Sequence, residues 1–346
     1  SEYEALACKT MQEVALGNMR GPFTRAEMDA AFGPSAFRAM HRFAVWQKGK
    51  LRACDNAKGS WHNRAVGRHE RLSVEAADFP ARVTACVTAA FNEPLEMVSG
   101  CDDLPHAYRE VPSADPRWTP VCIFVPGVGA RYFTMPGFNF GLAAAVPQFN
   151  RFPEAVQAIA RRLAAVLTCH FFDDFNVTEP RLCAGSGQRT LRQLLHLLNR
   201  DFEPNKQQDM AHEVLFLGVI SDLSRVQCEG VVTMTVPAER TARLCGTIRS
   251  ILSQGSLSTA EAASLAGRLG FTLSWSFGRI GRAAMQPIYR ASVEQASSLY
   301  GTGFDEVQLS VATHASLEFF AELLPVLRPV RVSILSDHET PTLVWS

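Results

Sequence analysis

Apolar and polar positions along the chain change period repeatedly, and each change predicts a new element. Residues 1–40 carry apolar positions at helical spacing, broken by "RGPF" at Arg20–Phe23. "RFAVWQKGKLRACDNA" (Arg42–Ala57) alternates with period two and turns at Lys48-Gly49, the pattern of a strand pair. A helical stretch follows near Ala76–Phe91. "EMVSGCDDLPHAYREVP" (Glu96–Pro112) then sets apolar residues before an Asp pair and a short turn. "TPVCIFVPGVGARYFTMPGF" (Thr119–Phe138) reads as a hairpin about a Gly-rich turn. "AVPQFNRFPEAVQAIARRLAAVL" (Ala145–Leu167) has helical spacing and no glycine.

Beyond it, "LRQLLHLLNRDF" predicts an amphipathic helix and "VLFLGVI" (Val214–Ile220) a single apolar strand. From Pro237 the pattern turns helical. Ser258 and Glu261 stand at the spacing of a capping box, a good helix start. Pro287 should kink or restart the following helix. A last helix over about Glu306–Leu324 leads into the strand "RVSILSDHE". There is no internal repeat and no low-complexity segment.

One stretch breaks the pattern of solvated charge. In "LTCHFFDDFNV", Asp173 and Asp174 sit side by side among Phe171, Phe172 and Phe175. Adjacent carboxylates repel, and apolar neighbours remove the water that would screen them, so the pair belongs at a surface turn or beside a cation. A second pair, Asp102-Asp103, ends an apolar stretch about seventy residues upstream. If the Glu96–Cys101 strand pairs with the Val166–Phe172 strand, Asp103 and Asp173 meet at one sheet edge. Carboxylates set so can hold two divalent cations, and oxygen ligands favour magnesium or manganese.

Composition narrows the setting. With 346 residues, 47% apolar and 20% charged, the chain is long enough for two or three packed units. Thirty-four basic and 34 acidic residues cancel, so global charge gives no argument for nucleic acid. Locally the balance is different: Arg38–Arg71 carries nine Lys/Arg (Arg38, Arg42, Lys48, Lys50, Arg52, Lys58, Arg64, Arg68, Arg71) against Asp55 and Glu70, a net +7. The nine cysteines are scattered and lack the close pairing of a zinc site, which suits a reducing, intracellular location. No apolar run approaches the roughly 18 residues that span a bilayer, and no signal peptide opens the chain. Beginning on Ser1 rather than Met, the sequence reads as a processed or excised piece of something longer.

The order of the motifs carries more than any one of them. "DLPHAYR", "FNFGLAAAVPQFNR", "HFFDDF" and "LFLGVI" in succession resemble the ordered palm motifs of reverse transcriptases, most of all those of LTR and tyrosine-recombinase retroelements. "RFAVWQKGKLRACDNA" resembles the basic fingers strand that precedes them, and "LSTAEAASLAGRLGF" with "FGRIGRAA" the helical segment that follows. The resemblance covers roughly Gly21 to Tyr289. It implies that Asp103 and Asp173 are the principal metal ligands, with Asp174 their acidic neighbour. Tyr108 matches the aromatic that excludes a 2′-hydroxyl. Lys50 and Arg52 match the clamp on the incoming triphosphate. Phe140-Gly141 and Gln148 fall where the nucleotide pocket and template path are shaped, and Lys206 where a general-acid lysine stands. Leu217-Gly218 lies in the strand leading to the primer-gripping hairpin, and Arg268, Arg279 and Arg282 are expected to track the duplex backbone.

The chain departs from the family pattern at several points. Phe171-Phe172 replaces Tyr-x before the doublet, His106 stands at a position often small or acidic, Ala53-Cys54 replaces Pro-Ile, and Asn139 replaces Pro before Phe140-Gly141. None removes a metal ligand. Asp102 is an alternative to Asp103, although the spacing to Tyr108 favours Asp103. The tail resembles the first strand of a ribonuclease H fold, with Asp337 at its catalytic position. That chemistry needs more carboxylates than the tail supplies, so no ribonuclease H activity is expected.

The resemblance thus implies an α+β right-hand polymerase with fingers, a ferredoxin-like palm and a helical thumb. Residues 1–95 would be mainly fingers, 96–236 the palm with a fingers insertion about 112–145, 237–325 the thumb or connection, and 326–346 an incomplete ribonuclease H-like start. The implied activity is RNA-directed DNA synthesis with two Mg2+ or Mn2+ ions, a primed RNA or DNA template and deoxynucleoside triphosphates. A catalytically silent polymerase-like scaffold is one alternative. An RNA-dependent RNA polymerase is the other, and Tyr108 speaks against it.

Overall fold

In a computed structural model that describes residues 2–47, 49–67, 72–105, 107–275, 281–293 and 307–335, the changes of period become a mixed α/β fold. Helix α1 (Glu2–Ala15), strand β1 (Arg20–Phe23) and helix α2 (Arg25–Phe32) precede the hairpin of β2 (Met40–Gln47) and β3 (Lys50–Asp55). Helix α3 (Phe79–Phe91) leads to β4 (Met97–Asp103). Hairpin β5 (Val121–Val125) and β6 (Gly129–Thr134) is followed by α4 (Ala145–Ala164), by hairpin β7 (Thr168–Phe171) and β8 (Asp174–Pro180), and by α5 (Ser186–Leu197). Then come β9 (Gln208–Ala211), β10 (Glu213–Phe216), β11 (Val219–Asp222), α6 (Val226–Glu229) and β12 (Val231–Thr235). The remainder is α7 (Ala238–Gln254), β13 (Ser256–Leu257), α8 (Thr259–Ser274), α9 (Met285–Ala291), β14 (Val307–Gln308), α10 (Val311–Leu323) and β15 (Val330–Ser333). Among the described residues no helix is long and apolar enough to cross a membrane.

The chain forms two units. The first takes residues up to Glu75, Asp102–Phe175 and Thr190–Gln207. Its five-stranded sheet has the order β1-β6-β5-β2-β3. "RGPF", expected only as a break between helices, is the edge strand β1, paired with β6. Leu6 of α1 is buried in one cluster with Met40, Val121, Ile123 and Phe133 of the sheet, each contributing about 1.5–3 kcal/mol of apolar transfer. Helix α2 starts on a capping box in which Thr24 and Glu27 satisfy each other's backbone N–H groups. In α4 the buried residues Phe149, Pro153, Val156 and Ala160 fall at alternating spacings of four and three, so one face turns inward.

Basic residues of the Arg38–Arg71 segment do not all face solvent. Arg42 and Asp55 lie opposite each other across β2 and β3, and both are buried. The guanidinium grips the carboxylate twice, Nε to Oδ1 at 2.7 Å and Nη2 to Oδ2 at 3.0 Å. Asn139, at a position where the family pattern has Pro, is fully buried and donates from Nδ2 to the same Oδ2 at 3.2 Å. Lys48, Arg68 and Arg71 lie outside the described residues.

The second unit takes Ala76–Cys101, Asn176–Arg189 and the chain from Gln208. Its antiparallel sheet β10-β11-β12-β15 packs Val219, Val232 and Met234 with Ala81, Val87 and Met97. A helical cluster of α7, α8, α9 and α10 buries Ile248, Leu265, Leu269, Ile288, Leu317 and Phe320. Ser258 caps α8 with Glu261 as its spacing predicts, and the helix carrying Pro287 restarts at Met285. The last helix begins at Val311 behind a Ser310 cap rather than near Glu306, which is not among the described residues. "VLFLGVI" is not one strand. It folds into β10 and β11 about Leu217 and Gly218, with φ of 50° and 78°. Two residues at positive φ make the tight turn whose twist suits a hairpin, and a strand-length apolar run hides it.

A further sheet has the order β7-β8-β4-β9. The neighbour of β4 is therefore β8, not the 166–172 strand expected from the sequence. The chain reverses at Phe172, φ 55°, and lays β8 beside β4, leaving β7 on the edge.

Candidate active site

The three predicted carboxylates converge in the first unit, where the end of β4 meets the β7–β8 turn. Backbone hydrogen bonds set the corner: Leu104 N–H donates to the Asp173 carbonyl at 2.9 Å, and Glu203 N–H to the Asp103 carbonyl at 2.8 Å. Asp173 shares the turn with Phe172, and Asp174 opens β8. Phe171 and Phe172 stack edge-to-face at 4.8 Å between centroids, and Phe175 packs on Phe202 at 5.6 Å. Aromatic rings thus pack on both sides of the turn in sequence, with Phe175 fully buried.

Electrostatics follow from that burial. Removal from water, then the charges of Asp173 and Asp103 and a hydrogen bond with Asp103, push the Asp174 carboxyl up to about 7. Burial likewise raises Asp173, assisted by the charge on Asp103. Lys206 Nζ lies 2.6 Å from Asp103 Oδ1. Burial works against the ammonium, but the bond to Asp103 and the surrounding negative charge hold its pKa above the ordinary lysine value. Three carboxylates share one lysine, and the cluster meets the shortfall by keeping a proton near neutrality.

This donor set fits a hard divalent cation: it is all oxygen and carries more negative charge than Lys206 neutralises. Among the described residues, no three His, Cys, Asp or Glu side chains are grouped to hold a metal ion. Asp103 and Asp174 face each other through a hydrogen bond instead.

Asp102 has another task. It is 2% exposed and accepts from Arg192 of α5, at 3.2 Å from Nε and 2.9 Å from Nη2. Successive strand residues face opposite ways, so Asp102 turns to α5 while Asp103 turns to Lys206. Alternation along "MVSGCDD" could have separated the two from the sequence. The arginine partner had no such signal.

Tyr108 stands between two rings, 5.3 Å from Phe140 and 5.4 Å from Phe149. Burial, then the negative charge of Asp173, raises its hydroxyl pKa, so the phenol lies within the field of that carboxylate. Gly141 packs so tightly on β3 that a Cβ there would come within 2.0 Å of the Asp55 carbonyl oxygen. Gln148 accepts from Arg151 Nη1 at 2.9 Å and lines a cavity of about 380 Å3 with Val111, Phe149, Phe152 and Arg200.

Other predicted residues are not gathered here. Lys50 and Arg52 are exposed on β3, facing the same way two residues apart. Leu217, Gly218, Arg268 and Arg282 belong to the second unit. Arg268 bonds the Ser264 carbonyl and Thr247, and Arg282 is exposed. Arg279, His106 and Asp337 lie outside the described residues.

No family model and no curated protein matches the chain. Solved structures do. A foamy viral protease-reverse transcriptase, dRH, in complex with double-stranded DNA superposes with a TM-score of 0.57 at 14% identity, over 91% of this chain and 46% of that one. A second foamy viral protease-reverse transcriptase in complex with double-stranded DNA gives 0.60 at 13% identity, over 95% and 58%. The chain therefore spans about half the length of these neighbours. At such identity the likeness is one of fold: the chain has a reverse-transcriptase-like, polymerase-like fold.

Proposed function

We propose that the chain is an RNA-directed DNA polymerase that adds deoxynucleotides to a primer. The observation that carries this reading is the corner where Asp103, Asp173 and Asp174 converge, in a fold similar to that of viral reverse transcriptases. Asp103 and Asp173, with Asp174 beside them, would hold two Mg2+ or Mn2+ ions, whose Lewis acidity would favour attack of the primer 3′-hydroxyl on the triphosphate. Tyr108, held between Phe140 and Phe149, would press on the sugar and reject a 2′-hydroxyl. Lys206 would sit beside the departing pyrophosphate and supply a proton. Lys50 and Arg52 would close on the triphosphate, Gln148 and Phe140-Gly141 would shape its pocket, and Leu217-Gly218, Arg268, Arg279 and Arg282 would hold primer and duplex. Fingers, palm and thumb would follow the boundaries given above, with an intracellular location.

The test is primer extension on an RNA template with deoxynucleotides and Mg2+ or Mn2+, comparing the wild type with Asp173→Asn. Extension that disappears in the variant is expected. Absence of extension by both proteins, with primer–template binding intact, would leave the reading without its activity. That outcome would favour a silent nucleic-acid-binding scaffold, a reading favoured by the Lys206–Asp103 pair and the direct Asp103–Asp174 hydrogen bond.

A further inference from the structure

A second charged cluster lies in the same unit, behind Tyr108. Arg109, the residue after it, points away from the carboxylates, and its side chain is 8% exposed. Its Nη1 meets Glu13 Oε2 of α1 at 2.5 Å. The approach is a charge–charge contact rather than an aligned hydrogen bond, since neither atom completes one. Glu13 Oε2 also lies 3.9 Å from Arg42, which is bonded to Asp55. Two arginines and two carboxylates therefore balance in the interior, drawn from α1, β2, β3 and the segment after β4.

That cluster reaches Tyr108 along two routes. Along the chain, Tyr108 is the adjacent residue. Through space, the Arg109 guanidinium lies 5.3 Å over the Phe140 ring, the ring that flanks Tyr108 at 5.3 Å. The backbone is held as well: Phe138 N–H donates to the Tyr108 and Val111 carbonyls, and a Cβ on Gly137 would fall 1.8 Å from the Arg109 carbonyl oxygen. Phe140 is itself 48% exposed, so packing alone holds it weakly.

We propose that the buried Glu13–Arg109 pair is a positioning device that fixes Tyr108 and Phe140, so that helix α1 sets discrimination between deoxy- and ribonucleotides. The inference rests on the polymerase reading for its substrate and on the side-chain geometry for its mechanism. A ring rejects a 2′-hydroxyl only while it cannot swing aside, and the paired charge beneath Phe140 removes that freedom. Neither residue touches substrate.

The experiment has two readouts. Primer extension gives the ratio of kcat/KM for deoxynucleotide to that for ribonucleotide. Glu13→Gln should lower the ratio about tenfold, mainly through a lower KM for the ribonucleotide. Loss of both activities in equal proportion would show a merely structural role and overturn the proposal. Because Glu13→Gln strands a buried arginine, Glu13→Gln/Arg109→Gln is measured beside it. Retained discrimination in the folded double variant would also overturn the proposal. Hydrogen exchange of the amides in 107–111 and 138–141 is the second readout and needs no turnover. Faster exchange in the double variant is expected, and unchanged protection would overturn the positioning role. Absence of extension by the wild type would count against the polymerase reading alone, with exchange still deciding whether the pair positions Tyr108.

Discussion

The ammonium of Lys206 stands 2.6 Å from Oδ1 of Asp103, and its charge also acts on Asp173 and Asp174. It partly supplies what a divalent cation would supply in full. Adding Mn2+ or Mg2+ at pH 8 should therefore raise the melting temperature, on the order of 5 °C at a hundredfold excess over Kd. In Lys206→Met the metal-free protein should melt lower and the cation-induced rise should be larger. A thermal shift series decides it; no cation-dependent rise in either protein would argue against a metal site.

The two residues of the Asp102-Asp103 pair should part company on mutation. Asp102→Asn removes the partner of Arg192 and is expected to cost about 1–3 kcal/mol of stability. Asp103→Asn relieves repulsion with Asp174, so it should leave stability unchanged or raised at neutral pH while abolishing primer extension. Urea titrations run beside extension assays separate these effects. Asp102→Asn silencing extension in a fully stable protein would move the ligand role from Asp103 to Asp102.

His170 predicts the acid limb of the stability curve. It is 1% exposed, and its backbone N–H and Nδ1 both meet Gln157 Oε1 at 2.9 Å, which fixes the neutral ring with its proton on Nδ1. Burial, then the charge of Arg161, pulls its pKa from 6.5 to about 4, against the opposing charge of Glu75; the Glu154 carboxylate is 3.7 Å from Nε2. The unfolded chain takes up this proton first, so its contribution is complete above pH 6.5 and is lost between 6.5 and about 4. The amplitude is at most on the order of 3 kcal/mol. Asp174, pushed the other way, bends the same curve in the opposite sense. The measurement is therefore the difference between wild type and His170→Gln from pH 4 to 7. A difference that does not vary with pH would exclude His170 as the source.

Arg42→Met should be among the most damaging single changes in the first unit. It leaves Asp55 and Glu13 buried with less compensation, at a cost of about 3–5 kcal/mol. The double variant Arg42→Met/Asp55→Leu should recover part of the loss. If it were no more stable than Arg42→Met alone, the deficit would lie in packing rather than stranded charge.

Much of this was legible before any coordinate. Period-two alternation gave the β2–β3 hairpin, and the Ser258–Glu261 spacing gave the start of α8, because both signals are local. The carboxylate corner was legible as chemistry, since an Asp pair among phenylalanines demands compensation. Its geometry was not: the strand beside β4 is decided by the reversal at Phe172, a bulky residue at φ 55° that no turn rule favours. Leu217-Gly218 hid its turn inside an apolar run for a similar reason. The buried pairs Arg42–Asp55, Arg109–Glu13 and Arg192–Asp102 left no trace, because a lone arginine in sequence reads as surface. Asn139 looked like a mere departure, yet its amide bonds the Asp55 carboxylate.

The first unit is assembled from three separated stretches of chain, and the last of them brings both Arg192 and Lys206. During synthesis every aspartate of the corner is therefore made before either of its cations. Lys206 follows Asp174 by 32 residues, an interval of roughly two to six seconds at translation rates of about 5–20 residues per second. Through that interval neither Arg192 nor Lys206 is present to offset the charge of Asp102 and Asp103. The order of the sequence thus gives this corner its cations only with the last stretch of the unit.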